Sequence, residues 1–320
     1  MKTKSFPLAT VPNSSSSLAV GRAAIVETFL AGRTPRTFEA YGQDLQNFSR
    51  FIGARSSEEA VRRLLDHGKG EANATAHAYR ADLVGRGLAP STINRRLAAL
   101  RSLVKLARLF NKVDYTLDVE SVKSSPYRDT RGPGRAGVRL LLDELDRHQD
   151  AKAKRDRALV RLLYDLGLRR GEAVGLDMAD VDLKAGTVSI LGKGRTEKET
   201  LTLPDPTRNA LEAWVSVRGT KEGPFFVNYD RAAKGERLTG RSVARILDAL
   251  GGAVGLKVRP HGLRHAAITE ALDKTNGNVR MVQRFSRHRD GRVLGLYDDN
   301  RQDLGGEVAR LVAGSVDALK

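Results

Sequence analysis

The sequence His-Gly-Leu-Arg-His at residues 261–265 opens a predicted helix in the C-terminal half of this 320-residue chain. Before it, Gly-Leu-Arg-Arg-Gly-Glu at residues 167–172 follows an apolar helix, and Gly-Lys-Gly at residues 192–194 lies at the tip of a predicted β-hairpin. After it, Tyr297 lies nine positions beyond His288. Each piece alone is typical of a surface pair, a helix cap or a solvated turn. Their order and spacing together indicate one site.

These residue types match what the cleavage of a phosphodiester without a metal requires. Two guanidiniums can hold the charged non-bridging oxygens through forked hydrogen bonds. A lysine on a hairpin can protonate the departing 5′ oxygen, and imidazoles can orient the phosphate or relay protons. A tyrosine hydroxyl, its pKa lowered by the surrounding cations, can attack phosphorus. One domain of the sequence offers all of these groups.

With these motifs in place, the chain resembles the tyrosine recombinases of the phage integrase type over residues 20 to 305. The spacing of 24 residues between Arg169 and Lys193 also fits that pattern. The N-terminal helices, which contain Tyr41, Asp44 and Phe48, resemble the family's core-binding domain.

The resemblance implies a role for each matching residue. The side chains implied to be catalytic are Arg169, Lys193, His261, Arg264, His288 and Tyr297. The two arginines would bind the scissile phosphate with help from the two histidines, and the lysine would be the general acid. The tyrosine would form a 3′-phosphotyrosyl link, while Glu172 and His265 would support the catalytic groups.

The same resemblance implies how the enzyme works as an assembly. Four protomers would act on two DNA duplexes through a Holliday junction, and the protein without DNA would be a monomer. The covalent link stores the energy of the broken bond, so no ATP, metal or other cofactor is expected. The expected partner is a double-stranded recombination site, and an accessory directionality factor is a further candidate partner.

The expected fold is mainly α-helical. A helical, SAM-like core-binding domain is followed by an α+β catalytic domain with a small antiparallel sheet, and together they would form a clamp around DNA. The predicted parts are a flexible arm (1–18), the core-binding domain (19–113), a basic linker (114–137), the catalytic domain (138–302) and a C-terminal helix (303–320). That last helix would dock on its own domain or, as we slightly favour, on a neighbouring protomer.

Apolar periodicity and turn residues give the individual elements. In the first domain they predict a helix capped by Thr34 or Thr37, a helix over 73–84 capped by Asn73, and a helix that begins at Ser91. In the second domain they predict strands at 187–191 and 200–203. Helices are predicted there at 206–217, 240–250, 261–273, 279–286 and 292–298.

Basic residues mark the expected DNA surface. Residues 83–113 contain seven basic side chains and no acidic one, whereas a solvated helix face, the alternative, usually mixes the two signs. The predicted DNA-binding residues are Arg95, Arg96, Arg101, Lys105, Arg108, Lys112, Arg131 and Arg287. Arg287 precedes His288, where the family usually has glycine, so either that turn is rebuilt or extra arginines contact DNA near the cut.

Composition excludes several other classes of protein. The formal net charge is +17, which suits a partner rich in phosphate or acidic lipid. The absence of cysteine excludes a disulfide framework, a cysteine–zinc site, an iron–sulfur cluster and a thiol nucleophile. No stretch approaches about 18 apolar residues, and prolines and serines interrupt the N-terminus, so neither a membrane span nor a secretory signal is predicted. We expect a cytoplasmic, nucleoid-associated prokaryotic protein without a membrane partner.

Two alternatives to the recombinase hypothesis remain open at this point. One is a DNA-binding architectural protein with an impaired active site, for which Arg287 is the sequence support. The other is a relaxing enzyme similar to type IB topoisomerases, which would use the same chemistry on one strand.

Overall fold

The structure is a computed structural model that describes residues 24–123, 132–192, 194–297 and 304–317. The chain divides into two compact units, Met1–Ser125 and Pro126–Lys320. The predicted arm (1–18) lies outside the described residues, and so do Arg131 and Lys193.

The first unit is helical throughout its described secondary structure. Its helices are α1 (Ala24–Leu30), α2 (Pro35–Phe51), α3 (Ser57–Asp66), α4 (Lys69–Gly85) and α5 (Pro90–Leu109). The hydroxyl of Thr34 caps α2 by accepting a hydrogen bond from the Thr37 amide, as predicted. The apolar residues that recur at helical spacing along α5 are buried: Ile93, Leu97, Leu100, Val104 and Ala107.

Two features of this unit differ from the sequence expectation. Helix α3 was not predicted, although Ser56 accepts from the Glu59 amide at 3.1 Å and Glu59 accepts from the Arg55 amide at 2.8 Å, a reciprocal cap at the helix start. Helix α4 begins at Lys69 with Gly68 as its N-cap, so Asn73 lies inside the helix, where its amide oxygen accepts from the Asp118 backbone at 2.6 Å instead of capping.

The first part of the predicted linker packs on this unit. Tyr115, Leu117 and Val119 are buried at alternate positions of an extended segment, and the Tyr115 hydroxyl donates to the Leu64 carbonyl at 2.8 Å. Alternation of this kind lets a strand-like segment cover a helical core without a sheet partner.

The second unit combines helices with a small sheet, as predicted. Its helices are α6 (Gly134–Asp146), α7 (Ala151–Asp165), α8 (Arg170–Val174), α9 (Asp205–Arg218), α10 (Gly240–Ala253), α11 (Pro260–Lys274), α12 (Val279–Ser286) and α13 (Leu304–Asp317). Short 3-10 helices span Met178–Asp180, Arg231–Ala233 and Gly291–Tyr297. The strands are β1 (Val181–Asp182), β2 (Thr187–Leu191) and β3 (Lys198–Thr202).

The sheet is antiparallel in the order β1-β2-β3, with Thr187 opposite Thr202 and Leu191 opposite Lys198. Strand β1 was missed, because two residues are too few for a visible alternation. Val188 and Ile190 point into the core, which also contains Trp214. Helix α11 packs against α7 and α12, so the end of α7, the first turn of α11 and the turn after α12 come together.

Helix α13 presents apolar side chains to solvent. Val308, Leu311 and Val312 are 57%, 74% and 61% exposed. Its described apolar side chains are therefore not docked on their own unit. Within the described residues, every helix is too short or too polar to cross a bilayer.

Candidate active site

The turn after α7 places Arg169. Gly167 has φ 54°, a left-handed conformation, and a Cβ atom there would lie 3.2 Å from the Phe285 ring, so glycine fits both the turn and the packing. Arg169 then caps α8. Its guanidinium donates to Glu172 at 2.7 Å, and its backbone amide donates to the other Glu172 oxygen at 2.8 Å.

Glu172 is a buried carboxylate with a side chain that is 2% exposed. Burial alone would raise its pKa, but the two hydrogen bonds from Arg169 and the charges of Arg287 and Arg169 outweigh burial, so the pKa of Glu172 is lowered. Glu172 is therefore ionised at neutral pH and can hold Arg169 in a fixed direction.

Arg264 reaches the same place from the first turn of α11. It is buried, and it donates to the carbonyls of Gly167 and Ser286. Its Nη2 lies 3.4 Å from Nε2 of His288. Burial, followed by the charge of Arg169, lowers the pKa of Arg264 to about 10, so the guanidinium keeps its charge at neutral pH.

Tyr297 ends the 3-10 helix after α12 and is 6% exposed. Its ring centroid lies 4.7 Å from that of His265 and 5.5 Å from that of His288. The Thr269 hydroxyl donates to the Tyr297 carbonyl at 3.1 Å and fixes the backbone behind the ring. Sequence reasoning missed Thr269, although its position one helical turn after His265 is a usable signal.

The expectation that cations lower the pKa of Tyr297 is wrong for this structure. Burial raises the pKa above its usual value, and the charges of Arg264 and Arg169 offset this only in part. The hydroxyl is thus protonated at neutral pH, and a base must take its proton when it attacks.

Both predicted histidines lie in reach of the two arginines. Desolvation, then the charges of Arg264 and Arg169, lowers the pKa of His288 to about 4. The same causes, in the same order, lower the pKa of the more exposed His261. The imidazole of His288 is therefore neutral at pH 7 and can accept a proton or a hydrogen bond.

Arg287 forms the turn before His288 in the backbone conformation that a glycine would usually adopt there. It has φ 57° and ψ 36°, the left-handed conformation that glycine usually supplies. Its side chain is 4% exposed and contacts Glu172 and the carbonyls of Leu166 and Gly167. The expectation that Arg287 contacts DNA directly is thereby corrected: its guanidinium points into the protein.

The hairpin that carries Lys193 borders the same site. Gly192, Arg195, Glu199 and Arg289 line a cavity of about 200 Å³ together with Arg169 and Arg287. The Arg289 guanidinium donates to the Gly194 carbonyl at 3.3 Å and connects the hairpin tip to the turn after α12. Lys193 itself lies outside the described residues.

The predicted DNA-binding residues of α5 divide into two groups. Arg95 donates to Asp44 at 2.6 Å, and Arg96 donates to Asn47 at 2.7 Å, so residues of α2 hold both guanidiniums. Arg101 donates to Ser121 at 3.2 Å. Lys105 and Arg108 of α5, and Lys112 just after its end, are exposed or half-buried.

Asp44 supplies the acidic partner that the sequence of α5 lacks. Its side chain is 2% exposed and lies 3.7 Å from Arg96 as well. Burial raises the pKa of Asp44, while the charges of Arg95 and Arg96 oppose the rise. The basic residues of α5 therefore do not all face solvent, since Arg95 and Arg96 lie beside Asp44.

The chain is similar to known proteins over most of its length. The sequence model of the phage integrase family matches residues 136–303. The chain is 36% identical over 287 residues to tyrosine recombinase slr0733 of Synechocystis sp., covering 88% of this chain and 91% of that protein. It is 30% identical over 261 residues to tyrosine recombinase XerC of Pelobacter propionicus, covering 80% and 82%.

Solved structures share the fold. The Tn1549 transposon integrase in complex with transposon right end DNA has a TM-score of 0.69 at 13% identity, covering 91% of this chain and 99% of that chain. The XerH site-specific recombinase bound to palindromic difH substrate has a TM-score of 0.64 at 19% identity, covering 86% and 80%.

Proposed function

The chain belongs to the phage integrase family of tyrosine site-specific recombinases, and we propose that it cleaves and rejoins DNA through a covalent bond between Tyr297 and a 3′ phosphate. One observation carries the proposal. The Tyr297 ring lies beside His265 and His288, next to the guanidinium of Arg264. A phenol, two imidazoles and a fixed cation side by side are suited to phosphoryl transfer.

The proposed step is an in-line exchange at phosphorus. The Tyr297 oxygen forms a bond to phosphorus while the bond from phosphorus to the 5′ oxygen breaks. The phenol loses its proton to a neutral imidazole, His261 or His288, and the departing 5′ oxygen gains one from Lys193. Arg169 and Arg264 stabilise the negative charge on the non-bridging oxygens, and no redox partner is needed.

Rejoining reverses these movements. A 5′ hydroxyl from another strand attacks the phosphotyrosine and releases the phenol, so one phosphoester bond replaces another. We propose that two such exchanges in succession, with a Holliday junction between them, recombine two duplexes held by four protomers, without ATP or metal. The protein is proposed to be a monomer before it binds DNA.

Cleavage is proposed to occur within one subunit. Tyr297 packs on His265 of its own chain, and its backbone carbonyl accepts from Thr269. A tyrosine that is held beside its own arginines needs no nucleophile from a neighbour. The exposed apolar side chains of α13, which include Leu311, are then available for the proposed contact between protomers.

Duplex DNA is the proposed partner, and the basic composition of the chain supports it. The proposed backbone contacts come from Arg101, Lys105, Arg108 and Lys112, together with Arg95, which Asp44 holds, and Arg96, which Asn47 holds. Arg131 is retained as a proposed contact on sequence grounds alone. We also propose an accessory directionality factor as a partner. The proposed location is the nucleoid, in the cytoplasm.

Neither alternative function is favoured. An impaired enzyme would lack part of the catalytic set, whereas Arg169, Arg264, His288 and Tyr297 lie together here. Tyrosine recombinases slr0733 and XerC each match most of the chain, which supports recombination over relaxation.

Covalent trapping tests the proposal. A library of duplexes with randomised sequence and a nick beside each candidate scissile phosphate is incubated with the protein, and adducts that resist detergent are isolated and sequenced. The nick lets the short cleaved fragment diffuse away, which prevents religation. We expect the wild-type protein to capture a defined site, and Tyr297→Phe to bind that site without forming an adduct.

Tyr229→Phe is the matched control, because it removes the same hydroxyl from a tyrosine packed on Trp214 in the core of the same unit. It should form adducts as the wild type does. An adduct that survives Tyr297→Phe, or the failure of the wild type to form any, would contradict the proposed mechanism.

A further inference from the structure

Arg287 occupies a conformation that its side chain does not favour. It ends α12 with φ 57°, where a Cβ atom crowds the following carbonyl. Such a residue persists when the surrounding structure compensates for the strain. The compensation here comes from the side chain, which is 4% exposed.

The two terminal nitrogens of the Arg287 guanidinium donate hydrogen bonds to four acceptors. Nη1 donates to the carbonyls of Leu166 at 3.1 Å and Phe285 at 2.8 Å. Nη2 donates to the Gly167 carbonyl at 3.0 Å and to Glu172 at 3.3 Å. A lysine or an amide side chain does not have enough suitably directed donors to make all four contacts.

Two of these acceptors also hold the catalytic arginines. The Gly167 carbonyl accepts from Arg264 as well as from Arg287. Glu172 accepts from the side chain of Arg169 at 2.7 Å and from Arg287 at 3.3 Å. Arg287 therefore contacts both of the groups that orient the two phosphate-binding guanidiniums.

A buried cation is an expensive way to fill this space. Three guanidiniums, those of Arg169, Arg264 and Arg287, share the Glu172 carboxylate and nearby carbonyls. Desolvation and mutual repulsion both disfavour a third buried charge, so a neutral filler would pack at lower cost. A buried charge and fork at this cost therefore indicate a task at the site itself.

We propose that Arg287 is a positioning residue that fixes the Gly167 turn and Glu172, so that Arg169 and Arg264 both point at the scissile phosphate. The inference rests on the proposed function and adds a residue to it. Arg287 acts through its neighbours and does not touch the substrate.

Single-turnover cleavage tests this inference on the duplex that the wild-type protein captures from the nicked library. Arg287→Gly and Arg287→Asn remove the guanidinium and accept the left-handed backbone, so both are expected to fold. Cleavage rates at saturating protein, DNA dissociation constants and melting temperatures are measured for each variant. Rates are measured well below the lowest melting temperature.

We expect both variants to cleave roughly tenfold to a hundredfold more slowly at saturation, with little change in DNA affinity. Arg287→Lys should recover part of the rate, because it restores the charge beside Glu172. Arg218→Asn is the matched control. Arg218 also donates to backbone carbonyls of the second unit, among them Pro224 and Phe225, away from the catalytic set. It should change the melting temperature and leave the cleavage rate intact.

The outcomes separate this inference from the proposed function. If the wild type forms adducts and the Gly and Asn variants cleave at its rate, the positioning role is refuted. A loss confined to DNA affinity, or an equal loss of rate in Arg218→Asn, refutes it too. If the wild type forms no adduct at all, the proposed function fails, and the positioning role fails with it.

Discussion

Glu172→Gln tests the electrostatic core of the site through stability. The carboxylate is 2% exposed and pairs with Arg169 at 2.7 Å and with Arg287 at 3.3 Å. Removing one partner of a buried ion pair costs about 3–5 kcal/mol. Glutamine keeps one oxygen for the Arg169 backbone amide, so the loss should lie near the lower end. We expect the free energy of unfolding of the second unit to fall by about 3 kcal/mol.

The loss should depend on pH with a definite sign. The pKa of Glu172 is lowered in the folded protein, so its contribution is fully present above its unfolded pKa of about 4.3. The contribution disappears as the pH falls through the folded pKa, where the carboxylate gains its proton. The difference between wild type and Glu172→Gln should therefore shrink as the solution is acidified.

Urea titration followed by Trp214 fluorescence measures this difference. Trp214 is the only tryptophan of the chain and is buried in the core of the second unit. Glu199→Gln is the control. Its carboxylate pairs with Arg195 at 2.9 Å but is 35% exposed, and such a pair contributes less than about 1 kcal/mol. Equal losses for the two variants, or a Glu172→Gln loss that is constant with pH, would refute the reasoning.

Four further predictions concern catalysis and DNA binding. Thr269→Val should slow cleavage roughly tenfold or less at unchanged DNA affinity, since one neutral hydrogen bond behind the nucleophile is lost; an unchanged single-turnover rate speaks against it. The His288 imidazole should titrate near pH 4 by NMR, below its ordinary value, and a midpoint near pH 6.5 would contradict its desolvation. Asp44→Asn should weaken DNA binding in filter assays, although it raises the net positive charge, because it removes the carboxylate charge that fixes Arg95 at 2.6 Å and attracts Arg96 at 3.7 Å; tighter binding would argue against positioning. A mixture of Tyr297→Phe and Arg264→Ala should form no adduct if each subunit uses its own tyrosine, whereas restored adduct would indicate cleavage between subunits.

Local pattern explains which elements could be predicted from the sequence. The predicted segment 279–286 coincides with α12, and the predicted 240–250 lies within α10, because an apolar periodicity and a cap mark each of them. Helix α3 was missed although its Ser56–Glu59 cap is visible in the sequence. Its start was therefore predictable from this cap, whereas its ten residues make the apolar periodicity short.

The orientation of Arg287 could not be read from the sequence. Three of its four acceptors, Leu166, Gly167 and Glu172, lie more than a hundred residues away along the chain, and the packing of α11 against both α7 and α12 brings them near. The direction of the Tyr297 pKa shift was missed for a related reason. Nearby cations are visible as residue types, whereas the burial that outweighs them is a property of the folded chain.

Locating the covalent bond tests the central claim most directly. The captured wild-type adduct is digested with nuclease and protease, and mass spectrometry identifies the peptide that carries the residual nucleotide. We predict a nucleotide joined through its 3′ phosphate to Tyr297. A nucleotide on another side chain, or one joined through its 5′ phosphate, would contradict the mechanism.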